Sequence, residues 1–151
     1  TGTCENIANT IAEKLGVEAI NVTDFSADTI ANHDNLILGT STWGAGELQD
    51  DWYDGVNVLK DADLSGKTVA IFGCGDSESY SDTFCAAMKE IYDAAEGANI
   101  IGSVSTDGYT FDDSDAVVDG KFIGLPLDDV NEDDKTEGRI DAWLDSIKGS
   151  L

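Results

Sequence analysis

Basic residues are scarce in this sequence. Lys and Arg together number 8 against 31 Asp and Glu, which gives a formal net charge of −23 over 151 residues. Such a charge repels phosphate backbones, so we do not expect nucleic-acid binding. It would attract basic surfaces on partner proteins and speed association with them in a salt-sensitive way. The acidity could instead serve only to keep the protein in solution, but we favour attraction of basic partners.

Long apolar runs and metal-type cysteine spacings are also lacking. No apolar run approaches the length of a transmembrane helix, so we expect no membrane insertion. Cys4, Cys74 and Cys85 are an odd number of cysteines without metal-ligand spacing, which favours a reducing compartment over a disulfide framework. A chain of 151 residues suits one domain with a full core, so residues 1–151 are predicted to form a single domain.

Helical patterns alternate with short apolar runs along the chain. Apolar residues at helical spacing between Ile7 and Leu15 predict a first helix that ends at Gly16. The alternation predicts a doubly wound α/β fold, in which a parallel sheet lies between two layers of helices. Ligands of such folds bind at the carboxyl ends of the strands. The other predicted elements are helices within 46–59, 81–95 and 139–151 and strands at 19–22, 35–41, 67–76 and 98–104.

Three polar segments lie where a ligand would be expected. TGTCEN (1–6) opens a helix, and the unpaired amides of a helix N-terminus form an anion site, although an ordinary capped helix start fits the same residues. GTSTWGAGEL (39–48) and GCGDSESYSDTF (73–84) each follow a predicted strand and carry an aromatic residue, Trp43 and Tyr80. Trp43 by itself could equally fold back onto the core. Together the segments predict a site for a flat aromatic molecule with a terminal phosphate.

The sequence resembles the flavodoxins over nearly its whole length. The matching segments, in this order, are TGTCENIANTIAEKLG, STWGAGELQDDWYDG and FGCGDSESYSDTFCAAM. The segment DGYTFDDSDAVVDGKFIGLPLDDVNEDDKTEGRIDAW is similar to the long-chain subgroup, in which a loop interrupts the fifth strand; Ile100–Val104 and Phe122–Leu125 would be its two halves. The resemblance implies a five-stranded parallel sheet of order 2-1-3-4-5 with helices on both faces. It also implies one non-covalently bound FMN that shuttles single electrons between its semiquinone and hydroquinone forms at low potential.

The resemblance assigns the FMN phosphate to the start of the chain. Thr1, Gly2, Thr3 and Cys4 would form the second part of the phosphate loop. The family usually has Thr where Cys4 stands, and a thiol is a weaker hydrogen-bond donor than a hydroxyl. We therefore expect one phosphate contact to be weakened or to pass to the backbone amide.

The flavin ring would lie between Trp43 on its inner side and Tyr80 on its outer side. The carbonyl of Gly44 would turn toward the flavin N5 when that atom is protonated, which would stabilise the semiquinone. The remaining residues that the resemblance places around the ring are Thr42, Ala45, Gly46, Cys74, Gly75, Asp76 and Asp82.

Acidic residues near the ring would tune its reduction. Glu47, Asp76, Glu78 and Asp82 would disfavour the anionic, fully reduced ring, each by about 2 kcal/mol at a distance of ~8 Å before screening by salt. The second reduction potential would fall and the two one-electron steps would separate. We therefore expect FMN-loaded protein to pass through a blue semiquinone rather than to reduce in a single two-electron step.

Resemblance to the flavodoxins of photosynthetic organisms, especially algae, implies particular partners. The protein would take electrons from photosystem I and pass them to ferredoxin–NADP⁺ reductase in place of ferredoxin, as a monomer whose acidic surface docks onto basic patches. The chloroplast stroma is the expected location, and a cyanobacterial cytoplasm is the alternative. The alternative function is that of an FMN-binding module of a quinone reductase or of a larger reductase, and a non-redox adaptor is a third possibility.

An acidic run near the C-terminal end invites a calcium-binding interpretation, which we reject. Asp129, Asn131 and Asp133 have EF-hand spacing. However, Asp134 stands where glycine is needed, and Ile140 stands where the bidentate Glu belongs.

A further strand is expected ahead of Thr1. In a sheet of order 2-1-3-4-5 the first strand is central, so its two neighbours would otherwise lack a partner. We therefore expect the molecule to contain an apolar strand of about five or six residues before Thr1, followed by a turn that contains Ser or Thr.

Overall fold

The computed structural model describes residues 2–43, 46–48 and 50–151. The five α-helices of these residues are α1 (Gly2–Leu15), α2 (Ala27–Ala31), α3 (Trp52–Asp61), α4 (Met88–Ala94) and α5 (Asp133–Ile147). Their eight strands are β1 (Asn35–Trp43), β2 (Glu47–Leu48), β3 (Thr68–Cys74), β4 (Asn99–Ile101), β5 (Val104–Ser105), β6 (Val117–Val118), β7 (Lys121–Phe122) and β8 (Leu125–Leu127). Within this part of the chain, no helix has both the length and the apolar character needed to cross a bilayer.

The central strand of the main sheet is β3. One edge of β3 pairs in parallel with residues 35–41 of β1. The other edge pairs in parallel with β4 along its first half and with β8 along its second half. β4 and β8 therefore share one position in the sheet, and residues 102–124 separate them in sequence. The interrupted strand of a long-chain protein is thereby confirmed, although its halves are shorter than predicted.

Residues 102–124 form a second, antiparallel sheet in which β7 lies between β5 and β6. Phe122 is fully buried there, and its ring centroid lies 5.3 Å from that of Tyr109 and 5.1 Å from that of Phe111. The predicted strand half Phe122–Leu125 is wrong, because Phe122 belongs to β7 and the parallel strand begins only at β8. The predicted half Ile100–Val104 is too long at its C-terminal end, because the parallel strand β4 ends at Ile101. Burial of the aromatic rings competes with continuation of the parallel strand.

Helices cover both faces of the main sheet. Along β3, Val69 and Ile71 pack in an apolar cluster with α3 and α4, whereas Ala70 and Phe72 pack in a second cluster with α1 and α5. Side chains of a strand alternate between its faces, so both faces of β3 are buried. The predicted α/β fold, with a parallel sheet and flanking helices, is confirmed.

The main sheet has five strands, but they are not the predicted five. β2 is antiparallel and pairs only with the last two residues of β1. Residues 19–22, which were predicted to form a strand, contain none, and a 3₁₀ helix spans Val22–Asp24. A strand needs a neighbour for its backbone groups, and no strand of the described residues pairs with the outer edge of β1 at 35–41. The full order 2-1-3-4-5 is therefore not observed.

The first helix ends where its sequence predicts. Gly16 follows α1 with a φ of +70°, a left-handed conformation that glycine adopts without steric cost. The amide of Val17 then donates to the carbonyl of Ala12 at 2.9 Å, which is the bond expected at a glycine-terminated helix end.

The helix predicted over 81–95 forms only in its second half, as α4. A 3₁₀ helix spans Ser81–Thr83, and Cys85 has a left-handed φ of +52°. Between them, the amide of Phe84 donates to the carbonyl of Asp113 at 3.3 Å, and the carbonyl of Phe84 accepts a hydrogen bond from the Ser114 hydroxyl. Hydrogen bonds to a loop that lies 30 residues later in the sequence, at Ser114, thus replace helical hydrogen bonds.

The other two predicted helices form with small shifts. Trp52 in α3 and Trp143 in α5 are buried in the core. Leu48, within the predicted helix 46–59, is buried in β2 instead, and Leu151, within the predicted helix 139–151, lies beyond α5 and is exposed.

Candidate functional site

The first turn of α1 lies against the carboxyl ends of β1 and β3. Ser41 and Cys74 face each other across these two strands, and the thiol of Cys4 lies beside the Cys74 thiol and the Ser41 hydroxyl. Ser41 is buried, and its hydroxyl oxygen has no hydrogen-bond partner of good geometry among the described residues. Three predicted features, the helix start and two strand ends, therefore meet at one edge of the sheet.

Cys4 and Cys74 differ in how readily they ionise. The hydrogen bond with the Cys74 thiol lowers the pKa of Cys4, although partial burial opposes this. The same contact and nearly complete burial raise the pKa of Cys74. Cys4 is thus the more acidic of the two thiols, and it lies in the first turn of a helix, where the helix dipole favours negative charge.

The start of α1 provides backbone donors at this edge. The first four amides of an α-helix have no partner within the helix, and in α1 they belong to Gly2 and the residues that follow it. Thr3 and Cys4 are partly buried beside them. The arrangement suits an anionic group. The predicted phosphate-binding residue Thr1 lies outside the described residues.

The loop after β1 packs against the segment that precedes α4. The Thr42 hydroxyl accepts a hydrogen bond from the amide of Ala87 at 3.1 Å. Gly46 has a φ of +96°, and a Cβ on it would lie 3.3 Å from the Cβ atom of Ala86. The backbone of Trp43 ends β1 opposite Glu47. The predicted ring-contacting residues Gly44 and Ala45 and the side chain of Trp43 lie outside the described part of the site.

The loop after β3 is shaped by Asp76. Its carboxylate accepts hydrogen bonds from the amides of Ser79 at 3.0 Å and Glu78 at 3.2 Å, and its carbonyl accepts one from the amide of Tyr80 at 2.9 Å. The amide of Ser79 and the side chain of Asn131 lower the pKa of Asp76. The loop carries the Tyr80 side chain outward, where it is 47% exposed.

Gly75 and Cys85 approach each other closely beneath this loop. A Cβ on Gly75 would lie only 2.9 Å from the backbone nitrogen of Cys85, so no side chain fits there. Cys85 is fully buried, and burial raises the pKa of its thiol. Cys85 is therefore a buried thiol, and it precedes α4 rather than lying within the predicted helix 81–95. The predicted ring contact Asp82 is exposed nearby in the 3₁₀ helix.

Sequence reasoning missed a buried polar network beside the same loop. Asp128 follows β8 directly and is completely buried. Its carboxylate accepts hydrogen bonds from the backbone and the hydroxyl of Ser77 and from Asn131. The available signal was an Asp that directly follows the apolar run ending at Leu127.

Ion pairs neutralise little of the acidic surface. Six of the eight basic residues of the sequence form ion pairs in the structure: Lys14, Lys67, Lys89, Lys135, Arg139 and Lys148. With 31 acidic residues in the chain, most carboxylates have no basic residue to pair with. The overall field of the protein is therefore negative.

The fold and these loops define a doubly wound α/β protein with a candidate ligand site at the carboxyl edge of its sheet. Comparison with known proteins makes the assignment narrower. The family described as Flavodoxin matches residues 1–143. Flavodoxin 1 of Azotobacter vinelandii is 42% identical to the chain over 153 residues, which cover 95% of the chain and 88% of that protein. A flavodoxin of a Nostoc species is 39% identical over 156 residues, with 100% and 92% covered.

Solved structures agree with the sequence relatives. A crystal structure of Fusobacterium nucleatum flavodoxin bound to flavin mononucleotide matches with a TM-score of 0.88 and 31% identity, over 97% of this chain and 89% of that one. A variant of the same flavodoxin, also bound to flavin mononucleotide, matches with a TM-score of 0.93 and 33% identity, over 100% and 91%. The chain therefore belongs to the flavodoxin family, as a long-chain member. It is an electron-transfer protein rather than an enzyme.

Proposed function

We propose that this chain binds one FMN non-covalently at the carboxyl edge of its main sheet and carries single electrons between protein partners. The observation that carries the proposal is the convergence of the α1 start, the end of β1 and the loop after β3 at one place. FMN, when bound, supplies the one-electron chemistry. The residues of the chain bind it, orient it and set the charge around it.

The phosphate group fits the start of α1. Thr1, Gly2, Thr3 and Cys4 would hold it through backbone amides and the Thr hydroxyls. The buried Ser41 hydroxyl, which has no hydrogen-bond partner of good geometry among the described residues, supports a polar ligand group at this end of the sheet. Because the Cys4 thiol already lies beside Cys74, we expect Cys4 to contribute its amide rather than its side chain.

The flavin ring would lie between the two loops that follow β1 and β3. Trp43 and Tyr80 would stack on its two faces, and the half-exposed Tyr80 is available to do so. The backbone of Thr42, Gly44, Ala45 and Gly46 would line one edge. Residues of the β3 loop would line the other edge, namely Cys74, Gly75, Asp76 and Asp82.

Carboxylates would make further negative charge on the cofactor unfavourable. Glu78 and Asp82 are exposed on the β3 loop, and Asp76 is partly buried in it. Each would oppose added charge by about 2 kcal/mol at ~8 Å before salt screening. A low potential for the second electron follows from this placement.

A complete sheet of order 2-1-3-4-5 and a single domain over residues 1–151 remain part of this proposal. Among the described residues, residues 35–41 of β1 pair with β3 along one edge and with no strand along the other. A parallel strand along that edge would also give residues 19–22 a neighbour. In a molecule that carries such a strand, the amides of β1 that point away from β3 should exchange slowly with solvent.

The physiological partners stay a prediction. Photosystem I as donor and ferredoxin–NADP⁺ reductase as acceptor, in a chloroplast stroma or a cyanobacterial cytoplasm, are proposed from the resemblance, and the net charge of −23 suits docking onto their basic surfaces. The relatives compared are mostly from non-photosynthetic bacteria. Electron transfer to a basic reductase that slows steeply with added salt would support docking through the acidic surface.

Titration of the apoprotein with FMN tests the proposal most directly. We expect the flavin fluorescence to be quenched with a stoichiometry of about one, as rings stack on the flavin, and riboflavin, which lacks the phosphate, to bind more weakly than FMN. Unquenched fluorescence and no change in flavin absorbance at micromolar protein would contradict it.

A further inference from the structure

Asp128 connects two distant segments of the chain at the edge of the candidate site. It lies 51 residues after Ser77, and its Oδ2 atom accepts hydrogen bonds from the Ser77 amide at 3.1 Å and from the Ser77 hydroxyl. Its Oδ1 atom accepts one from the amide of Asn131 at 3.0 Å. The residue itself is 0% exposed. The loop after β3 is thus fastened to the end of β8.

Asn131 makes a second connection between the loop after β3 and the end of β8. Its side-chain amide donates to Asp128 Oδ2 at 3.0 Å and to Asp76 Oδ1 at 2.8 Å. The same Asp76 oxygen accepts the amides that shape the loop up to Ser79. Asp76 therefore links the inner hydrogen bonds of the loop to Asn131, and we call Asp76, Ser77, Asp128 and Asn131 the loop clasp.

The carboxylate at position 128 is held by hydrogen bonds rather than by a basic residue. No ion pair of the described residues includes Asp128, so its charge is compensated by hydrogen bonds only. A buried charge without a counter-ion costs desolvation energy, and an apolar side chain of similar size is often as stabilising. What the carboxylate provides is a fixed position for the backbone of the loop.

The loop clasp bears directly on Tyr80. The amide of Tyr80 donates to the carbonyl of Asp76, a member of the clasp, at 2.9 Å, while its ring is half-exposed. The backbone of Tyr80 is thus bonded directly to a member of the clasp. A loop that is ordered before a ligand arrives binds more tightly than one that must become ordered on binding.

We propose that Asp128 and Asn131 are positioning residues that hold the 75–80 loop, and with it Tyr80, in place for the isoalloxazine ring. The inference rests on the proposed function, because it takes the ring to bind against this loop. Neither residue needs to touch the cofactor. Their effect should be felt by the ring and not by the phosphate, which lies at the start of α1.

Two variants and one matched control test the role. Asp128→Asn removes the buried charge at position 128, and Asn131→Ala removes the bridge to Asp76 without leaving an unpaired carboxylate in the core. The control, Asp129→Asn, removes the same charge from an exposed neighbour whose carboxylate contacts the Thr136 hydroxyl. Hydrogen exchange of the apoprotein and dissociation constants for FMN and for riboflavin are measured for all four proteins.

We expect both clasp variants to increase the exchange rates of the Ser77 to Tyr80 amides by about tenfold or more, as for loss of charge-assisted hydrogen bonds. Both variants should raise the dissociation constants for FMN and for riboflavin by the same factor, roughly tenfold. Asp129→Asn should leave exchange and affinity near wild type. If Asp128→Asn does not fold, Asn131→Ala gives the same comparison.

The outcomes separate this inference from the proposed function. Wild-type protein that binds neither flavin contradicts the proposed function, and the inference falls with it. Wild-type protein that binds both flavins, with clasp variants of unchanged affinity and loop exchange, overturns the inference alone. Clasp variants that bind FMN more weakly than wild type but bind riboflavin equally well would also overturn the inference, because the clasp would then act on the phosphate site.

Discussion

The indole nitrogen of Trp52 donates a hydrogen bond to the carbonyl of Gly39 at 2.8 Å, and so joins α3 to the middle of β1. Phe72, the partner of Gly39 on β3, lies across the other side of the glycine. A Cβ on Gly39 would lie only 2.0 Å from the Phe72 ring. The absence of a Cβ at Gly39 therefore leaves room for the Phe72 ring to lie over β1.

Gly39→Ala should destabilise the protein by about 2 kcal/mol, because the new methyl group overpacks the core against Phe72. Urea unfolding of the apoprotein measures the change. Gly138→Ala is the control: it lies within α5 with nothing within 4 Å of its added Cβ, so it should stabilise by up to about 1 kcal/mol. A second change, Phe72→Leu, should recover part of the loss at Gly39, and equal stability of Gly39→Ala and wild type would contradict the packing argument.

Features with a local cause could be predicted from the sequence. The helix stop at Gly16 needs only a left-handed residue after an apolar stripe, and the buried strand β3 needs only an apolar run of the right length. The placement of the three polar segments at one edge of the sheet followed from the parallel topology. These predictions depended on short-range patterns and on one general property of α/β folds.

Features decided by distant contacts could not be predicted. The segment 81–87 has helical spacing, but the Phe84 amide donates to Asp113 and the Phe84 carbonyl accepts from Ser114, so both backbone groups bond outside a helix. The Ser77 and Asp128 contact spans 51 residues, so no window of sequence contains both partners. Residues 19–22 have the composition of a strand, yet pairing depends on a neighbour that composition does not supply.

The three thiols should react at very different rates in the folded apoprotein. Cys4 is partly exposed, at a helix start, and has a lowered pKa, whereas Cys74 and Cys85 are buried with raised pKa values. A maleimide reagent should therefore modify Cys4 first, as mass spectrometry of peptides can show. FMN should slow this reaction more than riboflavin does, because the proposed phosphate position covers the helix start. Faster labelling of Cys74 than of Cys4 would contradict the assignment.

Separate substitutions should distinguish the ring and phosphate portions of the site. Tyr80→Ala should weaken the binding of FMN and of riboflavin alike, by about three- to tenfold, because one stacking surface is lost. Its control is Tyr53→Ala, an equally exposed tyrosine on α3. Fluorescence titration with each flavin gives the dissociation constants, and a Tyr80→Ala effect confined to FMN would place the ring elsewhere.

Thr3→Ala should weaken the binding of FMN by about three- to tenfold and leave the binding of riboflavin unchanged, because only the phosphate group would contact the Thr3 hydroxyl. Thr10→Ala provides the matched control, since its hydroxyl lies on the same helix and donates to the carbonyl of Asn6 instead. Fluorescence titration of both variants with FMN and with riboflavin gives the dissociation constants. Equal losses for both flavins would show that Thr3 acts on the fold of α1 rather than on the phosphate.

The loop clasp should also govern part of the acid stability of the apoprotein. Burial opposes ionisation of Asp128, but the hydrogen bonds from Ser77 and Asn131 hold its pKa below the usual value of 3.8. A depressed folded-state pKa contributes stability in full above the unfolded pKa, and that stability is lost as pH falls through the lower folded-state pKa. Asp128→Asn should therefore be less stable than wild type by about 2 kcal/mol above pH ~5, and the difference should shrink toward zero below pH ~3.

Urea unfolding at a series of pH values checks this sign. Asp129→Asn removes an equal charge from an exposed position, so it separates loss of the clasp from relief of the repulsion that accompanies a net charge of −23. If repulsion dominated, both variants would be more stable than wild type at neutral pH. A deficit confined to Asp128→Asn that closes in acid would tie the lost stability to the ionised carboxylate at position 128, because only there does the charge accept the hydrogen bonds that fasten the loop.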